Sequence, residues 1–162
     1  VSVDAANASK VEFKTIMLEP ACEGTPPVQV EDKPIELHAR DATVYGTNLR
    51  YEPDPKKNTL GFWSRVSDAA SWNVTVGRPG EYDVEVLQGC GKGEGGSKID
   101  VRVNQSRLSF VVKETGHFQN FEPQLIGRVR LPAGQSEFRV QPRKIARHAA
   151  LDIRQIRLIP AE

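Results

Sequence analysis

The stretch Trp72-Asn73-Val74-Thr75-Val76, Gly77-Arg78-Pro79-Gly80, Tyr82-Asp83-Val84-Glu85-Val86 decides the fold class of this chain. Apolar and polar residues alternate on both sides of a four-residue Gly/Pro turn, and a period of two lines one face of a β-strand. The spacing predicts two strands joined as a hairpin. The alternation recurs at Ile99-Asp100-Val101-Arg102-Val103, at Leu108-Ser109-Phe110-Val111-Val112, and again at Val129, Phe138 and Leu151. In the last block the phase slips between Ile153 and Ile156, with Leu158 following Ile156, which predicts a β-bulge near Arg154-Gln155. No segment sustains a helical apolar stripe; Ser67 to Ala70 suggests one helical turn at most. Seven or more short strands bounded by Gly, Pro, Asn or Asp predict an all-β, antiparallel β-sandwich.

The chain has 162 residues, the size of one domain with a single core. No apolar run approaches the roughly 18 residues of a membrane-spanning helix. The net charge of +1 is unevenly spread: residues 107 to 162 hold ten Lys/Arg against five acids, and the rest is net −4. Most of these arginines alternate with Val, Leu, Ile or Phe, the pattern of a solvated sheet face rather than of a nucleic-acid surface. Cys22 and Cys90 are compatible with one disulfide or with two reduced buried thiols, and the absence of Cys-x-x-Cys removes zinc-ribbon and thioredoxin chemistry. The first 34 residues are less regular. Val11, Phe13, Ile16 and Leu18 suggest an extra edge strand, and Pro20 to Pro34 a connector.

Five pieces in order carry a resemblance: Ile35-Glu36-Leu37-His38-Ala39; Gly61-Phe62-Trp63 leading through Asp68 to Val76; Pro79-Gly80-Glu81-Tyr82-Asp83-Val84; Thr115-Gly116-His117-Phe118-Gln119-Asn120-Phe121; and Leu151-Asp152-Ile153. Residues 35 to 162 resemble the β-sandwich carbohydrate-binding modules appended to xylanases and other glycoside hydrolases, with a jelly-roll, galactose-binding-like fold. They are also similar to the C-terminal sandwich of some bacterial fucosidases. The resemblance implies a non-catalytic module, extracellular or periplasmic and monomeric within a larger chain, that binds a polysaccharide or oligosaccharide and neither nucleic acid nor membrane.

In that group the first aromatic of the threonine-glycine motif stacks on the sugar, a role that falls to Phe118. Trp63 or Phe62 is the expected partner across the cleft, with Asn120 and Tyr51 nearby, while Phe121 and Trp72 are expected in the core. The resemblance also implies a structural calcium ion, with Glu36 and Asp152 at matching positions, although His38 stands where a further carboxylate is usual and imidazole is a poor calcium ligand. Ala150 replaces an asparagine that contacts the ligand in the group, which favours the alternative of a structural or protein-interaction sandwich. Gly89 to Lys98 lacks the order of a phosphate loop and reads as a mobile hairpin loop. The three histidines stand in separate segments with no helper motif, so no enzyme activity is expected.

Overall fold

A computed structural model describes residues 33–162; the extra strand, most of the connector and Cys22 lie outside the described residues. Eleven strands run through this region: β1 Ile35–His38, β2 Thr43–Tyr45, β3 Arg50–Glu52, β4 Thr59–Gly61, β5 Ala69–Val76, β6 Gly80–Cys90, β7 Lys98–Val103, β8 Ser106–Val111, β9 His117–Leu131, β10 Gly134–Lys144 and β11 Asp152–Pro160. They form two antiparallel sheets. One has the order β3-β4-β11-β6-β9 with β1 also on β11, and the other β2-β5-β10-β7-β8. The architecture is the expected all-β sandwich. A single 3₁₀ turn, Ala39–Asp41, is the helical element among the described residues, and Ser67 to Ala70 forms none.

Alternation identifies the strands correctly but not all their neighbours. β5 and β6, predicted as a hairpin, lie in different sheets. Residues 77 to 79 carry the chain across the core, and the Tyr82 hydroxyl donates to the carbonyl of Arg78 inside that link. A period of two fixes which face of a strand is apolar, and in a sandwich the apolar faces of both sheets look alike. The glycine-rich segment after Cys90 likewise joins the two sheets instead of closing a hairpin. It is held by Glu94, whose carboxylate accepts from the backbone N–H of His148 and Ala149, and by Ser97, which accepts from Ala146 N.

Inward residues of the two sheets interdigitate. Phe138 stands opposite Trp72 on one side and Val103 on the other, a row of large side chains across β5, β10 and β7, all buried. Tyr82, Val84, Val86, Ile153, Ile156 and Leu158 face them. The β-bulge is present: the β11–β6 register shifts between Ile153 and Gln155, so Ile153 and Ile156 both reach the core despite their odd spacing. Cys90 is fully buried, and burial, with Glu114 beside it, pushes its thiol up to about 11. It is therefore protonated at neutral pH.

Asp68 fastens the loop end of the sandwich. Its carboxylate, completely buried, accepts the backbone N–H groups of Thr47, Asn48 and Leu49 at 2.9–3.0 Å, and its carbonyl accepts the Trp63 indole N–H at 3.0 Å. Burial opposes ionisation, but the donors from Leu49, Thr47 and Asn48, with Arg65 nearby, hold the carboxyl below its ordinary value. Gly46, at φ +114°, lies against this carboxylate where a Cβ would clash with it. Asp68→Ala is expected to cost about 2–4 kcal/mol in chemical denaturation, because it orphans donors bonded to a charged acceptor. Since the folded-state pKa is depressed, the stabilisation is present above about pH 4 and is lost as pH falls through the folded value, and the variant should show a shallower acid limb.

Candidate functional site

A cleft of about 240 Å³ opens where the β3–β4 hairpin, the start of β9 and the start of β11 meet, lined by Glu52, Lys57, Phe62, Phe118, Gln119, Ala149 and Asp152. Its geometry begins with Gly61-Phe62-Trp63. Trp63 turns inward and is completely buried, so Phe62 on the other side of the backbone turns outward and is 47% exposed. Phe62 holds φ +61°, a region that aromatic residues rarely occupy and that costs of order 1–3 kcal/mol. The Arg50 guanidinium lies over its ring at 3.7 Å.

Phe118 forms another wall. Its ring rests on Gly91, where an added Cβ would come within 2.7 Å of a ring carbon. The threonine-glycine motif sets it there: Thr115 is buried, its hydroxyl accepts the Cys90 N–H at 2.9 Å, and Asn120 donates its amide to the Thr115 carbonyl at 2.6 Å.

Two carboxyl groups supply the polar part. Both reach Gly61: a Cβ there would lie 2.5 Å from Glu52 Oε1 and 3.5 Å from Asp152 Oδ1. Lys57 Nζ donates to Glu52 at 3.1 Å, and Arg154 donates to the carbonyls of Lys56 and Lys57, tying the hairpin to β11. Asp152 is only 5% exposed. Burial, then the nearby Glu52 charge, push its carboxyl up to about 7, against a hydrogen bond from Gln119 and the charge of Lys57. The cleft thus offers two aromatic side chains, a carboxylate, a carboxyl that titrates near neutrality, an ammonium group and an amide.

Phe62, Phe118 and Asp152 come together in this cleft. Trp63 does not: as a core residue with its N–H committed to Asp68, it has no face to offer, and this corrects its expected role at the cleft. Tyr51 packs against the core and donates its hydroxyl to Asn58, because strand alternation points Tyr51 inward and Glu52 into the cleft. Asn120 is spent on Thr115 and Glu122. Phe121, expected in the core, is half-buried beneath the Arg154 guanidinium at 4.0 Å; Trp72 is in the core as expected.

Glu36 and Asp152 are not brought together. Glu36 stands opposite Arg157 and within 3.4 Å of His38, whereas Asp152 pairs with Gly89, five positions back along β11, or about 15 Å at the rise of a strand. No group of three or more His, Cys, Asp or Glu side chains among the described residues is arranged to hold a metal ion, so the implied calcium pair does not fit this geometry. Glu52, Lys57 and Gln119 were missed by sequence reasoning. Gln119 lies inside the threonine-glycine motif, and Glu52 follows from Tyr51 by alternation once Arg50–Glu52 is taken as a strand.

No family model matches the chain, and no curated protein matches it. Solved structures do. The C-terminal CBM6 of LamC, a marine laminarinase from Zobellia galactanivorans, aligns with a TM-score of 0.64 at 17% identity, over 78% of this chain and 99% of that one. The fold is that of a carbohydrate-binding β-sandwich module. A family 35 carbohydrate-binding module from Clostridium thermocellum aligns with a TM-score of 0.63 at 20% identity, over 80% and 99% of the two chains. A module of Cellvibrio mixtus lichenase 5A, solved with cellotriose, gives 0.61 at 18% identity, over 78% and 97%.

An acid whose pKa is raised on folding loses stability as pH rises through the interval between its unfolded and folded values, here about 4 to 7. Asp152→Asn, which cannot ionise, should therefore raise the thermal midpoint at pH 8, leave it nearly unchanged at pH 4, and flatten the profile between. Calorimetric scans across that range check this.

Proposed function

We propose that the chain is a non-catalytic carbohydrate-binding module whose cleft binds one sugar ring of a polysaccharide or oligosaccharide against Phe62 and Phe118. The observation that carries this reading is the convergence of these two exposed or half-exposed phenylalanines on one cleft with Glu52, Lys57, Gln119 and Asp152. The CH-rich face of a pyranose is apolar and suits an aromatic surface, while its hydroxyls need donors and acceptors around the rim. Lys57 and Gln119 donate; Glu52 accepts; Asp152 does either according to its protonation. The ion pair of Glu52 with Lys57 favours binding over bond cleavage, because it keeps that carboxylate engaged. In this reading the module belongs to a larger extracellular or periplasmic protein and acts as a monomer.

A second reading, a structural or protein-interaction sandwich, is favoured by one observation: Ala150 occupies the position where an amide anchor is expected, and it is fully buried with its N–H bonded to the Trp63 carbonyl.

Affinity electrophoresis against a panel of plant, algal and microbial polysaccharides separates the two. Retention by at least one neutral glycan, weakened at least tenfold by Phe118→Ala and by Phe62→Ala with the fold intact by circular dichroism, is the expected result; tenfold corresponds to about 1.4 kcal/mol. Retention by none would leave the second reading. Asp152→Asn should abolish any change in affinity between pH 6 and 8.

A further inference from the structure

Phe62 leaves the backbone toward solvent, and its left-handed φ of +61° fixes where the side chain starts but not how the ring is turned. A ring this exposed keeps its rotation about χ1 and χ2 unless something holds it, and ordering a loose side chain on binding lowers affinity. The group in contact with it is Arg50, whose guanidinium carbon lies 3.7 Å from the ring centroid. At that distance a guanidinium is attracted to the π face and restrains the ring.

The fold itself brings Arg50 to this place. Arg50 is the direct partner of Gly61 across the β3–β4 ladder, one residue before Phe62. The Leu49 N–H donates to the buried Asp68 carboxylate, and Asn48 Nδ2 donates to Ser64 Oγ at 2.9 Å, so residues 48–50 are fastened to residues 61–64 at both ends of the contact. Glu52 lies two positions along β3 and shares the face of Arg50, but its carboxylate is taken by Lys57 at 3.1 Å. Among the described residues no carboxylate pairs with Arg50. Arg154 makes the contrast: it too lies over a ring, that of Phe121, but its donors are engaged by the carbonyls of Lys56 and Lys57. For Arg50 the ring is the partner.

Which face of the ring is covered follows from the cleft. Phe62 lines it and Arg50 does not, so the guanidinium takes the face turned away from the cleft and leaves the other face open. We infer that Arg50 is a positioning residue for ligand binding, a brace behind Phe62 that presets its free face toward the sugar. The inference rests on the reading of the cleft as a sugar site. It assigns the brace to β3, which supplies Glu52 to the same cleft, so one short strand sets both an aromatic wall and a polar group.

Two measurements on the full chain test it. The first is affinity electrophoresis in gels containing laminarin, lichenan, xylan or galactomannan. In whichever gel retards the unaltered protein, Arg50→Ala should weaken retention about three- to tenfold, and Arg50→Lys, which keeps a cation behind the ring, should weaken it less. In a Phe62→Ala background Arg50→Ala should add nothing, whereas a role confined to stability would lower the thermal midpoint and leave retention unchanged. The second measurement needs no glycan: ¹³C relaxation of the labelled Phe62 ring should show a lower order parameter in Arg50→Ala than in the unaltered chain. Unchanged ring order overturns the inference, as does unchanged or tighter retention in Arg50→Ala, or an equal loss with Phe62 already removed. If no gel retards the unaltered protein, the sugar reading fails, and the ring order alone decides whether Arg50 holds Phe62 in place.

Discussion

The buried carboxylate of Asp68 is the constraint on which the loop end of this sandwich depends. Loops that close a sandwich carry backbone N–H groups with no sheet partner, and a buried donor left unpaired is costly. One side chain takes three of them, from Thr47, Asn48 and Leu49. Through its own carbonyl the same residue holds the Trp63 indole. Trp63 fixed inward sends Phe62 outward, so an anchor deep in the fold determines which aromatic reaches the cleft.

The cleft is shaped by what is missing as much as by what is present. Gly61 leaves room for Glu52 and Asp152 to approach each other, and Gly91 leaves room for the Phe118 ring. The crowding of two carboxyl groups in a partly dry place is what raises Asp152. Lys57, brought in by the β3–β4 hairpin and held there by Arg154, limits the repulsion.

Fold class was legible because alternation depends on burial, and burial depends only on which side of a strand faces the core. Trp72 to Val76 and Ile99 to Val103 announced themselves in this way, and the bulge in β11 followed from the phase of Ile153 against Ile156. Strand neighbours were not legible, since the link from Val76 to Gly80 has the same residues whether the chain turns back or crosses over. At the site, Phe118 was found through its motif. Trp63 was misjudged because an aromatic at a loop end reads alike whether it faces in or out; only the partner of its indole N–H decides. Glu52 and Lys57 stayed hidden because a short hairpin in a polar stretch carries almost no periodic signal.

The crossing of the chain between sheets has a kinetic side. From β8 to β11 each successive strand leaves the sheet of the one before it, so the neighbours of a strand are supplied from far along the sequence. β6 gains an inner neighbour only when β11 arrives, about 65 residues later, and β1 and β4 both wait for that same final strand. Such non-local pairing places this domain among slow-folding β proteins, with folding on the millisecond-to-second scale. During synthesis, the edge of β6 that pairs with β11, and with it the larger sheet, stays open until residues 152 to 160 have left the ribosome.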